Sequence, residues 1–71
     1  VDFVCKKRGE KLYIQVSYLL ASQETIDREF DVYKEINDNY PKYVVSMDDF
    51  DMSRDGIKHK NVRDFLLMQE W

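Results

Sequence analysis

The segment VDFVCKKRGEKLYIQVSY, residues 1–18, decides how the rest of the chain is read. It reads as two strands, 1–6 and 11–18, joined across Arg8-Gly9. An even-length loop pairs residues whose numbers sum to 17. Phe3 then lies opposite Ile14, Cys5 opposite Leu12 and Val1 opposite Val16, which makes one face wholly apolar. The other face sets Asp2 opposite Gln15, Val4 opposite Tyr13 and Lys6 opposite Lys11. An odd loop would set Phe3 against Tyr13 and mix the faces, the slip that a buried face forbids. On the even-loop reading a carboxylate and an amide meet on one sheet face, with Ser17 two residues further on.

Working outward, Ser22 is a good N-cap, and Glu24 stands in the first turn, where the helix dipole favours negative charge. Ile26, Phe30, Tyr33 and Ile36 then recur at spacings of three and four, which predicts a helix over 23–36 with one apolar stripe. Asp27, Arg28, Asp31, Lys34 and Glu35 fall on the opposite, solvated face. Arg28 with Glu24 is a favourable pair at a spacing of four. Asn37-Asp38-Asn39-Tyr40-Pro41 stops this helix. The near-continuous apolar run over 42–47, KYVVSM, predicts a central strand covered on both faces. A polar loop closing with Asp55-Gly56 leads to a short edge strand over 57–60, with Ile57 and His59 on one side and Lys58 and Lys60 on the other. Asn61 with Asp64 marks a last helix start, and Val62, Phe65, Leu66 and Met68 give that helix its buried side. The order is β-β-α-β-β-α, an α/β (α+β) domain with a small mixed sheet of about four strands.

The totals set limits. At 71 residues there is one domain, 1–71. A chain this short buries only about 60% of its unfolded surface, and an aromatic fraction of 14% helps so small a core. The single cysteine, Cys5, excludes an intrachain disulfide; it reads as a small buried hydrophobe, and the reducing cytoplasm fits best. No run approaches the roughly 18–20 apolar residues of a membrane span. A net charge of −3 argues against a sequence-independent nucleic-acid binder, though not against a local patch. The chain begins inside a strand and without Met, which reads as a domain cut from a longer protein. A partner domain or further N-terminal elements are therefore expected.

Most chemical motifs fail on spacing. Gly9 and Gly56 cannot make a phosphate-wrapping loop. Asp49, Asp51 and Ser53 have the alternate spacing of a calcium loop, but Arg54 and Lys60 stand where that loop needs Gly and Glu. The run 48–55 is read as a solvated turn. His59 and Cys5 lack the spacing of a zinc cluster, and a lone His on a short strand is read as structural. Tyr13, Tyr18 and Trp71 could form an interface, and Tyr13, Tyr18, Tyr40 and Tyr43 could stack on bases, but no basic stripe surrounds them.

Val-Asp-Phe-Val, a short turn, then Leu-Tyr-Ile-Gln-Val-Ser-Tyr resembles the core hairpin of the PD-(D/E)XK nuclease-like, or restriction-endonuclease-like, fold. In that family an Asp on one strand and a Glu/Asp-x-Lys on the next hold a divalent metal and activate water. The order of Ile-Gln-Val-Ser-Tyr-Leu-Leu, the helix from Ser22, Asn-Tyr-Pro-Lys-Tyr-Val-Val-Ser-Met-Asp, Asp-Gly-Ile-Lys-His and Val-Arg-Asp-Phe-Leu resembles the C-terminal domain of unknown function of prokaryotic AAA-family ATPases. That resemblance implies an ATP-binding parent protein whose ATPase module is a partner. Asp2 matches the first acid, whereas Gln15 and Ser17 stand where the second acid and the Lys belong. The resemblance therefore implies a nuclease-like domain without activity, cofactor or metal, which contacts a protein partner or, weakly, nucleic acid. Two other readings stand beside it. One is an active metal-dependent nuclease that recruits Glu10 or Glu24. The other is a structural interaction module, in which an exposed sheet edge also permits self-association.

Overall fold

A computed structural model describes residues 1–68. The elements are β1 (Phe3–Lys7), β2 (Glu10–Val16), α1 (Gln23–Asp31), β3 (Lys42–Ser46), β4 (Lys58–Asn61) and α2 (Val62–Leu67). They form a mixed four-stranded sheet in the order β1-β2-β3-β4. The hairpin has the register read from the sequence, from Phe3 opposite Ile14 to Lys7 opposite Glu10. A two-residue loop sets that register. Arg8 and Gly9 both have positive φ, 51° and 81°, the requirement of a type I′ turn, whose twist matches that of paired strands. The hairpin is antiparallel, while β2, β3 and β4 run parallel to one another.

Parallel neighbours need crossovers, and right-handed crossovers that step the same way along a sheet fall on the same face. The β2-to-β3 crossover carries α1. The β3-to-β4 crossover, residues 47–57, carries no helix, and a second turn with positive φ at Asp55 and Gly56 closes it. Both lie on one face: Met52 and Ile57 of the second crossover pack with Ile26 of α1 against Tyr13, Leu20, Phe30, Tyr33 and Val44. On the other face α2 lays Val62, Phe65 and Met68 against Leu12, Ile14, Tyr43 and Val45. β3 is therefore the centre of both cores, as its apolar run predicts. Val44 has no exposed surface at all.

Both helix starts agree with the sequence. The Ser22 side chain accepts the Thr25 N–H, and the Asn61 side chain accepts the Arg63 N–H. Four expectations are corrected. First, α1 ends at Asp31 rather than at residue 36. Bonds from Tyr33, Lys34 and Ile36 to carbonyls three residues back tighten the chain into turns. This swings Tyr33 under the sheet, where its hydroxyl donates to the Tyr43 carbonyl at 2.6 Å and burial pushes the phenol pKa up. Second, Cys5 is exposed rather than buried, together with Val1 and Phe3. α2 is six residues long and packs on β2 and β3, so none of the described residues covers β1. Third, Leu66 faces outward with Leu67, and only Val62, Phe65 and Met68 turn in. Fourth, Asp27 and Asp31 do not simply face solvent. Arg54 from the second crossover pairs with them at 2.7 and 3.7 Å and lies over the Phe30 ring.

Gly9 isolates the backbone term of the hairpin, because a Cβ there meets nothing within 4 Å. Gly9→Ala is expected to cost about 1–2 kcal/mol through its positive φ alone. Urea unfolding would show this as a lower midpoint with an unchanged slope.

Candidate functional site

Asp2, Gln15 and Ser17 are placed at the end of β2 that lies away from the hairpin turn. Tyr13 and Ser17 donate their backbone N–H groups toward β3, to Pro41 and Val45. Even-numbered residues of β2 therefore point their N–H groups at β1. At Val16 the partner strand has run out, and the Asp2 carboxylate accepts this N–H at 2.8 Å. Asp2 thus completes the ladder as a side-chain substitute for backbone. Gln15 turns to the α1 face, where its Nε2 donates to Glu29 Oε2 at 2.7 Å. Its Oε1 is buried without a hydrogen-bond partner. The Ser17 hydroxyl donates to the Leu19 carbonyl at 3.3 Å. The three side chains bond to three different segments.

The acid brought to Gln15 is Glu29, not Glu10 or Glu24. Glu10 pairs with Lys7 at the far end of the hairpin, and Glu24 is exposed in the first turn of α1. Which helix residue meets Gln15 depends on how α1 crosses the sheet, and helical periodicity alone does not give that. Among the described residues, no group of three or more His, Cys, Asp or Glu side chains is placed to hold a metal ion.

A second polar cluster lies around the carboxyl end of β3 and the adjoining part of β4. Ser46 and His59 are both buried, at 2% and 4% exposure, and Ser46 Oγ lies 2.7 Å from His59 Nε2. Ser46 Oγ also donates to Asp48 Oδ2 at 2.7 Å. The set is Ser, His and Asp, so its polarity decides what chemistry it allows. The Met52 N–H donates to His59 Nδ1, which assigns the ring proton to Nε2. The chain of donation then runs from His59 to Ser46 to Asp48. A nucleophilic triad needs the opposite direction, with the imidazole accepting the serine proton and the carboxylate holding the far ring nitrogen. Here the far nitrogen is held by backbone, and the carboxylate holds the serine. This arrangement ties a loop down and does not activate a hydroxyl.

The loop is held at several further points. Asp48 Oδ2 accepts the Leu20 N–H at 2.7 Å, and the Ser53 hydroxyl accepts the His59 N–H at 2.7 Å. Asn61 Nδ2 reaches the Met47 and Asp48 carbonyls. Burial opposes ionisation of Asp48, but the Leu20 N–H and the Ser46 hydroxyl outweigh it, so the carboxyl stays below its usual value. The run 48–55 is thus partly a structural loop rather than only a solvated turn. The signal for this was Ser46: a hydroxyl in a strand buried on both faces needs partners.

At the opposite end of the sheet, Tyr13 donates to Asp38, which Lys42 also contacts at 3.0 Å. This bond to Asp38 raises the Tyr13 pKa, and the bond from Tyr13 lowers that of Asp38. Asp38, Tyr40 and Lys42 line an open cleft of about 350 Å³ with Tyr33, Ile36 and Ile57. Tyr13 and Tyr43 are buried in the two cores, which removes them from the interface and base-stacking readings. Tyr18 and Tyr40 remain at the surface. Trp71 lies outside the described residues. Compared with known proteins, the chain matches no family model, no curated protein and no solved structure.

Ser46→Ala leaves the buried His59 Nε2–H without its acceptor, and is expected to destabilise by about 1–3 kcal/mol in denaturant titration. The pKa values of Asp38 and Asp48 are both depressed from 3.8 by folding. Their stabilisation is complete above that value and is lost as pH falls through the lower folded values. Stability measured from pH 7 downward is therefore expected to hold until about pH 4 and then fall. Asp48→Asn should flatten that acid limb.

Proposed function

We propose that the chain is a non-catalytic accessory domain that works by binding protein, with β1 as its binding element. The observation that carries this reading is the exposure of β1: all five of its residues are exposed, although three of them are Phe3, Val4 and Cys5. Phe3 is 57% and Val4 49% exposed. An apolar strand at a sheet edge offers unpaired backbone as well as side chains, which is the means of recognition in strand addition. The resemblance to the C-terminal domain of AAA-family ATPases supplies the context, a parent ATP-binding protein whose ATPase module is one partner. It also supplies the finer fold reading, a restriction-endonuclease-like core whose second acid and Lys are replaced by Gln15 and Ser17. The hydrogen bonds of Asp2, Gln15 and Ser17 support a structural use of all three positions.

A secondary contact with nucleic acid is favoured by one feature. The hairpin tip carries Lys6, Lys7, Arg8 and Lys11 against the single anion Glu10. Such a cluster holds phosphates by charge and is weakened by salt.

Calorimetric titration of Mg²⁺ and Mn²⁺ into the chain, beside Asp2→Asn, separates this reading from an active metal-dependent nuclease. The expected result is no difference between the two proteins and no cleavage of DNA or RNA. Submillimolar Mn²⁺ binding that is lost in Asp2→Asn, accompanied by cleavage, would overturn the non-catalytic reading. Gain of metal binding in the double change Gln15→Glu with Ser17→Lys would support the nuclease-like ancestry.

A further inference from the structure

We infer that the occupant of the β1 edge is a second copy of this chain, paired antiparallel about a two-fold axis through Val4. The inference rests on the reading of β1 as the binding element and names its partner. Backbone direction comes first. Because the even-numbered N–H groups of β2 face β1, the hydrogen-bonded pairs of the hairpin are Phe3 with Ile14, Cys5 with Leu12 and Lys7 with Glu10. Val4 and Lys6 therefore turn their N–H and C=O groups away from β2. They form the free edge. Antiparallel pairing of two such edges must bring outward-facing residues opposite one another.

Side chains choose the register. With Val4 opposite Val4, Phe3 falls opposite Cys5 of the second copy and Asp2 falls opposite its Lys6. Each of these cross-pairs occurs twice by symmetry. On one face Phe3 and Cys5 of both copies form a single apolar group around the axis. On the other, the two Val4 side chains meet and are flanked by two Asp2–Lys6 ion pairs. The Asp2 carboxylate uses Oδ2 for Val16 and keeps Oδ1 for the lysine. About six backbone hydrogen bonds become available across the axis.

Moving the axis to Cys5 sets Val4 against Lys6 and Phe3 against Lys7, and both ion pairs are lost. Moving it to Lys6 sets like charges face to face, which destabilises. Lysines on an edge strand commonly prevent pairing. Here Lys6 selects among pairings, because only one antiparallel register gives it a carboxylate. The wider charge distribution agrees. The basic hairpin tip lies at one end of β1, and Asp2 lies at the other. Antiparallel pairing sets each tip beside the acidic end of the second copy.

The test is sedimentation of the chain between about 1 μM and 1 mM, a range that spans ordinary edge-pairing affinities. The wild type is expected to dimerise reversibly. Val4→Pro removes an outward N–H at a position where an edge strand tolerates proline, and should remain monomeric with an unchanged circular dichroism spectrum. Lys6→Asp, a surface change, sets Asp2 against a carboxylate and should weaken the dimer at least about tenfold. Mild oxidation of Phe3→Cys should give a covalent dimer through Cys5 of the other copy, whereas the wild type should give none, since its two Cys5 residues are out of register. A monomeric wild type throughout this range overturns the second copy as occupant; the non-catalytic reading is decided separately by the metal titration. Dimers unaffected by Val4→Pro or Lys6→Asp overturn the edge, and a wild type that cross-links through Cys5 overturns the register.

Discussion

The constraint on which the structure depends is that β3 must be paired along both edges and covered on both faces. Five residues, Lys42–Ser46, carry that burden, and four of them are buried. Val44 faces the core under α1, and Tyr43 and Val45 face the core under α2. A strand in this position cannot leave a polar group unsatisfied, and Ser46 is the one aliphatic hydroxyl within it. The molecule answers by building the start of the second crossover around that hydroxyl. His59, Asp48 and the Met52 N–H are all positioned by the need to satisfy one serine and then one another. The cluster has the residue types of a catalytic triad, and its direction of donation gives it a structural role.

Much of the fold was legible because local signals agreed. The Arg8-Gly9 turn and the alternation on either side of it admitted one register, and the structure has that register. The apolar run over 42–47 suggested a central strand, and the structure has one that ends at Ser46 and leaves Met47 exposed. Ser22 and Asn61 marked helix starts by their side-chain chemistry. What was not legible came from the lengths and crossing positions of packed elements. Alternation on the hairpin correctly put Phe3, Cys5, Leu12 and Ile14 on one face. It could not say that α2 would cover only the β2 half of that face. The burial of Cys5 and the inward turn of Leu66 were lost for that reason. The end of α1 was misplaced because the apolar stripe continues through Tyr33 and Ile36 while the backbone changes from helix to turns.

The polar site was legible in part. Asp2, Gln15 and Ser17 could be placed at one end of a strand by counting. The partner of Gln15 could not, since Glu29 is brought to it only by the packing of α1, whereas Val16 and Leu19 are local to the hairpin and to Ser17. His59 was correctly read as structural, but its network was missed because Ser46 was taken as one more member of an apolar run. Arg54 was read as part of a polar turn. Its place over the Phe30 ring and between Asp27 and Asp31 depends on both crossovers sharing a face, and that follows from handedness rather than composition.

The mixture of pairings also sets an order of assembly. β1 and β2 are joined by two residues, so they can meet by local collapse on the microsecond scale of hairpins, about 1–10 μs. β2 and β3 meet only after residues 17–41 have been looped out, and β3 and β4 only after residues 47–57. Both later steps close a larger loop before any ladder rewards it. During synthesis the hairpin therefore exists first with two open edges: the outer side of β1, and the side of β2 that waits for β3. Arrival of residues 42–46 closes the second of these and leaves the first as the folded domain presents it.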